Sequence, residues 1–169
     1  MSAETITTAL FLITAVVASA VLINAVYPVI QNMAGTFSSS THESDVRIRT
    51  DFKIIATSAN QSAGTAQVWM KNIGSERISL AEIQRADVFC GAVGSFDHLA
   101  YTNTSGSLGD KQWTADFDPG YDLNTNKYWD SGETLKVTAK TVIPSTGNNV
   151  YFQFALPNGI WRSNEFTAS

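Results

Sequence analysis

The stretch ITTALFLITAVVASAVLINAVYPVIQNMAG, residues 6–35, decides the fold of this chain, because it is apolar over nearly its whole length. No Asp, Glu, Lys or Arg occurs between Glu4 and Glu43. A helix needs about 20 apolar residues to span a bilayer, so the stretch is long enough to do so. A helix over residues 3–34 would measure roughly 45–50 Å, which exceeds the ~30 Å hydrocarbon core. We therefore predict a hydrophobic helix over residues 1–35, part of which packs against something other than lipid.

This predicted helix is apolar on all sides, which is typical of a helix that is buried on every face. Small side chains at Ala15, Ala18 and Ser19 would let neighbouring helices approach closely. The carboxylate of Glu4 would either pair with the α-amino group of a neighbouring chain or cap the helix in interfacial water. Two interpretations stay open: a lone membrane anchor, and a helix that packs against copies of itself in a filament core.

After the helix the sequence predicts a linker and then a β-domain. The Ser- and Thr-rich segment GTFSSSTHES indicates a linker over residues 36–45. From Val46 onward apolar and polar residues alternate through Ile48, Phe52 and Ile54, as in a half-buried strand. About seven such strands between turn signals are typical of an antiparallel, immunoglobulin-like β-sandwich. The predicted fold class is α+β: a long N-terminal hydrophobic helix, the linker, and an outer β-sandwich over residues 46–169.

Composition and motifs exclude several classes of function. The net charge is −4, and no cluster of Lys or Arg offers a nucleic acid a binding surface. The single cysteine, Cys90, cannot form an internal disulfide, and we expect it to be a small buried hydrophobe. The G-x-S-x-G, H-E-x-x-H, P-loop and dinucleotide-binding patterns do not occur. We therefore expect neither an enzyme nor a small-molecule substrate.

The segment DLNTNKYWDSGE, residues 122–133, has the spacing of a calcium loop. Such a loop offers about six to eight oxygen ligands from alternating positions and closes with a bidentate Glu at the twelfth. Lys127 stands where a Gly usually permits a sharp turn, so we expect weak structural Ca²⁺ binding, on the order of 10⁻⁴ to 10⁻³ M. The alternative is a polar β-turn. The candidate ligands are Asp122, Asn124, Asn126, the Tyr128 carbonyl, Asp130 and Glu133.

Two acceptor sequons predict N-glycosylation, Asn-Gln-Ser at Asn60 and Asn-Thr-Ser at Asn103. The basic residues Arg47 and Arg49 follow the apolar run, which by the positive-inside rule weakly favours a cytoplasmic β-domain. The sequons and the turn-rich character of the domain favour the opposite side. We therefore predict that the β-domain is extracellular.

Five segments follow one another along the chain: MSAETIT (1–7), VVASAVLINAV (16–26), DVRIRTDFKIIATSA (45–59), VWMKNIGSERI (68–78) and WDSGETLKV (129–137). Their order resembles the archaellin superfamily of archaeal motility filaments. The strand after the helix and the KNIGS turn are most similar to its FlaG-type stator branch. The resemblance implies a filament-type helix and an outer sandwich that is exported across the archaeal membrane to serve the archaellum.

The first function that this resemblance implies is a structural subunit of the archaellum. Such a subunit is membrane-anchored before assembly and then polymerises through residues 3–34 with copies of itself and with other archaellum subunits. The product is an extracellular filament on the archaeal cell surface. We favour this interpretation because of the length and all-round apolar character of the helix.

The second function is a membrane-anchored, FlaG-type stator protein whose sandwich binds a partner subunit or the S-layer. Archaellins carry a short basic leader that a prepilin-type peptidase removes, whereas no Lys or Arg precedes the apolar run here. That departure fits the stator branch, or a chain that is numbered without its leader, although Met1 speaks against the latter. A third interpretation is a calcium-dependent adhesin or carbohydrate-binding module that uses the aromatic residues Trp113, Tyr121 and Trp129.

Overall fold

The computed structural model describes residues 3–104, 107–117 and 126–169. The chain divides into two compact units, Met1–Ser44 and Asp45–Ser169. The first unit is formed by the apolar helix. The second unit contains the last turn of that helix and the β-domain.

The N-terminal helix, α1, runs over Ala3–Arg49 and contains 47 residues. It is about 70 Å long at 1.5 Å per residue. The prediction of a linker over residues 36–45, with a strand from Val46, is therefore wrong in its secondary structure. Three hydroxyl groups of this segment are satisfied inside the helix, because Thr36, Ser39 and Thr41 each donate to the carbonyl four residues earlier. Asp45 and Arg49 form an (i, i+4) ion pair at 3.5 Å, which also favours the helix.

The β-domain is one sheet of eight strands with a small second sheet. The order in the large sheet is β1-β2-β8-β6-β5-β4-β9-β10, and β3 pairs with β7. All these pairs are antiparallel except β5 with β6, which is parallel. A short helix, α2 (Leu80–Gln84), lies between β3 and β4. The strands are β1 (Phe52–Asn60), β2 (Thr65–Asn72), β3 (Ile78–Ser79), β4 (Asp87–Ala92), β5 (Ser95–Tyr101), β6 (Gln112–Phe117), β7 (Tyr128–Trp129), β8 (Thr134–Lys140), β9 (Asn149–Ala155) and β10 (Trp161–Thr167).

The two halves of the large sheet pack face to face, and their inner side chains form the core. Phe154 on β9 contacts Phe52 on β1 and Trp113 on β6, with ring centroids 5.6 and 5.9 Å apart. Strand β8 shows the predicted alternation, since Leu135, Val137 and Ala139 are buried and the residues between them are partly exposed. The prediction of a long apolar helix followed by a sandwich-like, mostly antiparallel β-domain is confirmed.

The last turn of α1 is held by the turn that follows β2. The Arg49 carbonyl accepts hydrogen bonds from the backbone N–H groups of Ser75 and Glu76, at 2.9 and 3.1 Å. The Asp51 carbonyl accepts the N–H groups of Ile73 and Gly74, at 3.0 and 2.8 Å. These bonds satisfy carbonyls that a helix end leaves without a partner inside the helix.

The KNIGS motif forms this turn, and its Asn72 side chain stabilises the turn through hydrogen bonds. The buried Asn72 amide donates to the carbonyls of Glu76 and Trp129, at 2.9 and 2.8 Å, and its oxygen accepts the Gly74 N–H at 3.0 Å. At Gly74 the turn approaches the helix end so closely that a Cβ atom would overlap the Arg49 carbonyl oxygen and lie 2.5 Å from the Asp51 nitrogen. The motif is therefore the contact between the helix end and the sandwich.

Gly74→Ala should lower the free energy of unfolding of the β-domain by about 2–4 kcal/mol, because the new methyl group forces backbone apart. The measurement is denaturant unfolding of the full chain in detergent, monitored through the fluorescence of the buried Trp113 and Trp129. Gly35→Ala is the matched control, since a Cβ atom there meets nothing within 4 Å. Equal midpoints for both variants would contradict the tight contact.

Candidate functional site

The apolar surface of α1 is the largest feature available for assembly. Residues 10–13, four consecutive positions, are 61–73% exposed within the chain. Consecutive helical residues point about 100° apart, so these four side chains cover every face. Among its described residues, α1 has none that the chain itself buries. In the described part of the chain, α1 is also the one helix long and apolar enough to cross a membrane. Such a surface requires lipid or neighbouring protein.

The small residues predicted for helix packing share one region of α1. Ala15 and Ala18 are one turn apart, and Ser19 follows Ala15 by four positions. The Ser19 hydroxyl donates to the Ala15 carbonyl at 2.8 Å, so its hydrogen-bonding need is met within the helix. Glu4 lies in the first helical turn, where a carboxylate is favoured by the helix dipole. Helix–helix packing through these residues stays a prediction.

The apolar surface of α1 continues beyond the run that a bilayer would cover. Met33 and Phe37 are four positions apart on the same helical face, and they are 66% and 74% exposed. The sequence prediction missed this surface because it assigned Phe37 to a non-helical linker. Helical spacing of the two residues was the signal that could have revealed it.

The predicted calcium loop is described from Asn126 to Glu133, and Asp122 and Asn124 lie outside the described residues. The Asn126 amide donates to the Asp130 carboxylate at 2.7 Å, and the Glu133 carboxylate accepts the Asp130 N–H at 3.0 Å. The structure thus brings three of the predicted ligands together. In the described ranges, however, no group of three His, Cys, Asp or Glu side chains is arranged to hold a metal ion.

The backbone of this loop makes the sharp turn for which calcium loops usually need glycine. Lys127 adopts a φ of 64°, in the left-handed region. The next residue, Tyr128, donates its N–H to the Asn126 side-chain oxygen at 2.8 Å. Glu133 is only 4% exposed, and its carbonyl accepts the Trp129 indole N–H at 2.9 Å. The sequence departure at Lys127 therefore does not prevent the turn, and calcium binding stays a prediction.

The two sequon asparagines are exposed. Asn60 lies at the end of β1, where its side-chain oxygen accepts the Ser62 hydroxyl at 2.7 Å. Asn103 follows β5. Surface exposure on turns and strand ends is compatible with a glycan at either position, and glycosylation stays a prediction.

The remaining candidate residues lie in the core. Burial raises the pKa of Cys90 to about 12, so this thiol stays protonated and unreactive at neutral pH. Trp113 and Trp129 are fully buried. The interpretation of these two tryptophans as a carbohydrate-binding surface is wrong, because the core of the sandwich takes up both rings. The third residue of that set, Tyr121, lies outside the described residues.

The model of the archaeal-type flagellin family matches residues 2–166. The chain belongs to this family. Members of the archaeal-type flagellin family are structural components of archaella rather than enzymes, which agrees with the lack of catalytic motifs in the sequence. The resemblance to the archaellin superfamily is thereby confirmed, and the protein is related to the archaellum.

Three solved structures share the fold of this chain. The periplasmic stator protein FlaG of Sulfolobus acidocaldarius is 23% identical with a TM-score of 0.51, covering 69% of this chain and 99% of FlaG. A chain of the FlaF–FlaG stator complex of the same organism is 24% identical with a TM-score of 0.52, covering 68% and 87%. The archaeal flagellum of Methanospirillum hungatei strain JF1 is 15% identical with a TM-score of 0.54, covering 94% and 93%.

Calcium at about ten times its dissociation constant should stabilise the β-domain by about 1.4 kcal/mol, which corresponds to a rise of about 5 °C in melting temperature. The measurement is thermal unfolding of the full chain in detergent at 10 mM Ca²⁺ and with chelator. Asp130→Asn should remove most of the rise. Asp110→Asn, in the turn before β6, should retain it. If the unsubstituted chain melts at the same temperature with calcium and with chelator, the loop is a polar turn that does not bind calcium.

Proposed function

We propose that this chain is a structural subunit of an archaeal motility filament and that it polymerises through α1. The observation that carries the proposal is the exposed apolar surface on every face of a helix of 47 residues. In a filament core, neighbouring helices would cover all these faces at once. A helix that is apolar all round is typical of that degree of burial.

The length of the apolar surface supports protein neighbours in addition to lipid. A bilayer core of ~30 Å covers about 20 helical residues. If residues 6–30 lie in lipid, Phe37 is about 10 Å beyond the end of that span. A single anchor would leave this phenylalanine and Met33 near or in water. A bundle of helices would bury both.

The proposed partners follow from this arrangement. The chain would contact copies of itself, other archaellum subunits, and the membrane before assembly. The assembled form would be an extracellular filament on an archaeal cell, with the sandwich at its surface. The net charge of −4 gives no support to a nucleic-acid partner.

A stator protein is the second candidate, and the likeness to FlaG favours it. The aligned part covers 99% of the FlaG chain. In this alternative α1 remains in lipid, and the sandwich binds a partner subunit or the S-layer. The difference between the two candidates therefore lies in what surrounds α1.

Ala18→Phe should separate the candidates, because lipid accommodates a large apolar side chain whereas a closely packed helix does not. In a filament subunit, this substitution should abolish filaments and leave the protein in the membrane fraction. Leu22→Phe is the matched control, since it changes side-chain volume little and should retain filaments. Electron microscopy of sheared and membrane fractions from archaeal cells is the measurement. Wild-type protein found only as discrete membrane particles would support the stator instead.

We also propose that the exposed sequons at Asn60 and Asn103 carry glycans. The mass of the chain from archaeal cells should then exceed its 18.3 kDa by two glycan increments. Asn60→Gln and Asn103→Gln should each remove one increment in intact-mass spectrometry. A mass equal to that of the unmodified polypeptide would contradict both sites.

A further inference from the structure

One outer face of the sandwich is rich in lysine. Strands β2 and β8 bury alternate residues and present the others outward, and on β1 Lys53 is exposed next to the buried Phe52. Their register places Lys53 beside Lys71 and Trp69 beside Lys136. Lys140 lies further along β8, so four of the six lysines of the chain lie on this surface. We call it the lysine face, defined by Lys53, Trp69, Lys71, Lys136 and Lys140.

The opposite outer face carries aromatic rings and acids. It is formed by β4, β5 and β9, whose inward residues line the core, and by β10, of which only Phe166 packs against the core. In the described chain, the outward positions of these four strands hold no lysine or arginine. We call this surface the aromatic face. Its members are Asp87, Phe89, Phe96, His98, Tyr151, Trp161 and Glu165.

The rings of the aromatic face form a continuous row. The Phe89 ring lies 4.9 Å from the His98 ring and 6.2 Å from the Phe96 ring. The Phe96 ring in turn lies 4.8 Å from the Tyr151 ring. This last contact crosses β4 at Gly91, where a Cβ atom would lie 2.7 Å from the Phe96 Cα atom. The glycine therefore lets rings from β5 and β9 meet above β4 and keeps the surface flat.

The composition of this surface is that of a protein interface. Phe96 is 47% exposed and Trp161 is 53% exposed, although both are large and apolar. Interface centres are enriched in aromatic residues and depleted of charge, with polar groups at the rim. Glu165 and the pair formed by Asp87 with His98, at 2.9 Å, supply such a rim.

We infer that the aromatic face of one copy docks on the lysine face of the next. The two surfaces are complementary in charge, because acids flank the rings on one and lysines dominate the other. Ammonium groups also bind to the faces of aromatic rings. The lysine face already shows this geometry within the chain, where Lys136 Nζ lies 5.6 Å from the centre of the Trp69 ring.

The contact is head-to-tail, so it extends into a ring or a helical array rather than closing as a two-fold dimer. That property is what a filament subunit needs. The inference deepens the proposed function and rests on it in one respect, since it supposes that copies lie side by side.

Zero-length carbodiimide cross-linking of the full-length protein in its native assemblies is the test. The reagent joins an amine to a carboxylate only when the two groups touch. Strands β1 and β10 lie side by side, so Lys53 or Lys71 can reach Glu165 within one chain, and such bonds are not counted. Lys136 on β8 is separated from Asp87 on β4 by the two strands β6 and β5, which is about 14 Å or more at the usual strand spacing. A bond between Lys136 and Asp87 therefore joins two chains. We expect such peptides in the mass spectrum. Cross-links between chains that join only other surfaces, or no such links, would overturn the inference.

Each face also has a substitution with a matched control. Lys71→Glu should reduce the yield of these cross-links about tenfold through like-charge repulsion. Arg85→Glu, an exposed reversal outside both faces, should leave the yield unchanged. Phe96→Ser should reduce the yield of cross-links to Asp87 similarly, whereas Val142→Ser, at an exposed apolar residue outside both faces, should not. Circular dichroism confirms folding of each variant. Yields that do not differ between the variants and their controls would also overturn the inference.

The outcomes separate this inference from the proposed function. Filaments without these cross-links would leave the filament subunit standing and refute the face-to-face contact. Discrete membrane particles that give these cross-links would support the contact and refute the filament. Cross-links from Asp87 or Glu165 to a different archaellum protein, in place of a second copy, would also refute the contact.

Discussion

The hydrogen bonds between the end of α1 and the turn after β2 determine where the β-domain begins. The Arg49 carbonyl receives two N–H groups of that turn, which ends the helix and satisfies its final acceptor. Asn72 ties the same turn to the Trp129 carbonyl, far along the chain. Three residues after Arg49, Phe52 is already fully buried against the Trp129 ring at 5.6 Å. A single turn therefore joins the helix end, the first strand and the aromatic core.

The parts of the fold that could be predicted from the sequence are those with local periodicity. The apolar helix needed only the charge-free run, and β8 needed only its alternation of apolar residues with Lys and Thr. The end of α1 could not be read in this way, because Val46-Arg47-Ile48-Arg49 alternates like a strand and yet is helical. Its helical state depends on the Asp45–Arg49 pair and on the turn at residues 73–76, which is distant in sequence.

The candidate surfaces depended on long-range pairing and were less predictable. Alternation shows that a strand has two faces, but the partner strands decide which face is buried. Trp113 is buried because β6 faces Phe154 on β9, whereas Trp161 is exposed because β10 presents it on the outer side. Strand β5 pairs in parallel with β6, and β4 lies between β5 and β9. No short stretch of the sequence predicts either arrangement. The ring row across Gly91 is a product of that pairing.

The similarity of the chain to both filament and stator structures has a physical reason. A helix followed by a sandwich is compatible with either role, so the fold alone carries little information about which one applies. Lipid covers any apolar side chain of suitable depth and does not distinguish alanine from leucine, whereas a neighbouring helix requires small residues where backbones approach. About 40 Å of the ~70 Å helix exceeds what one bilayer core covers. The surface of α1, more than the sandwich, therefore distinguishes a protein that polymerises from one that stays anchored.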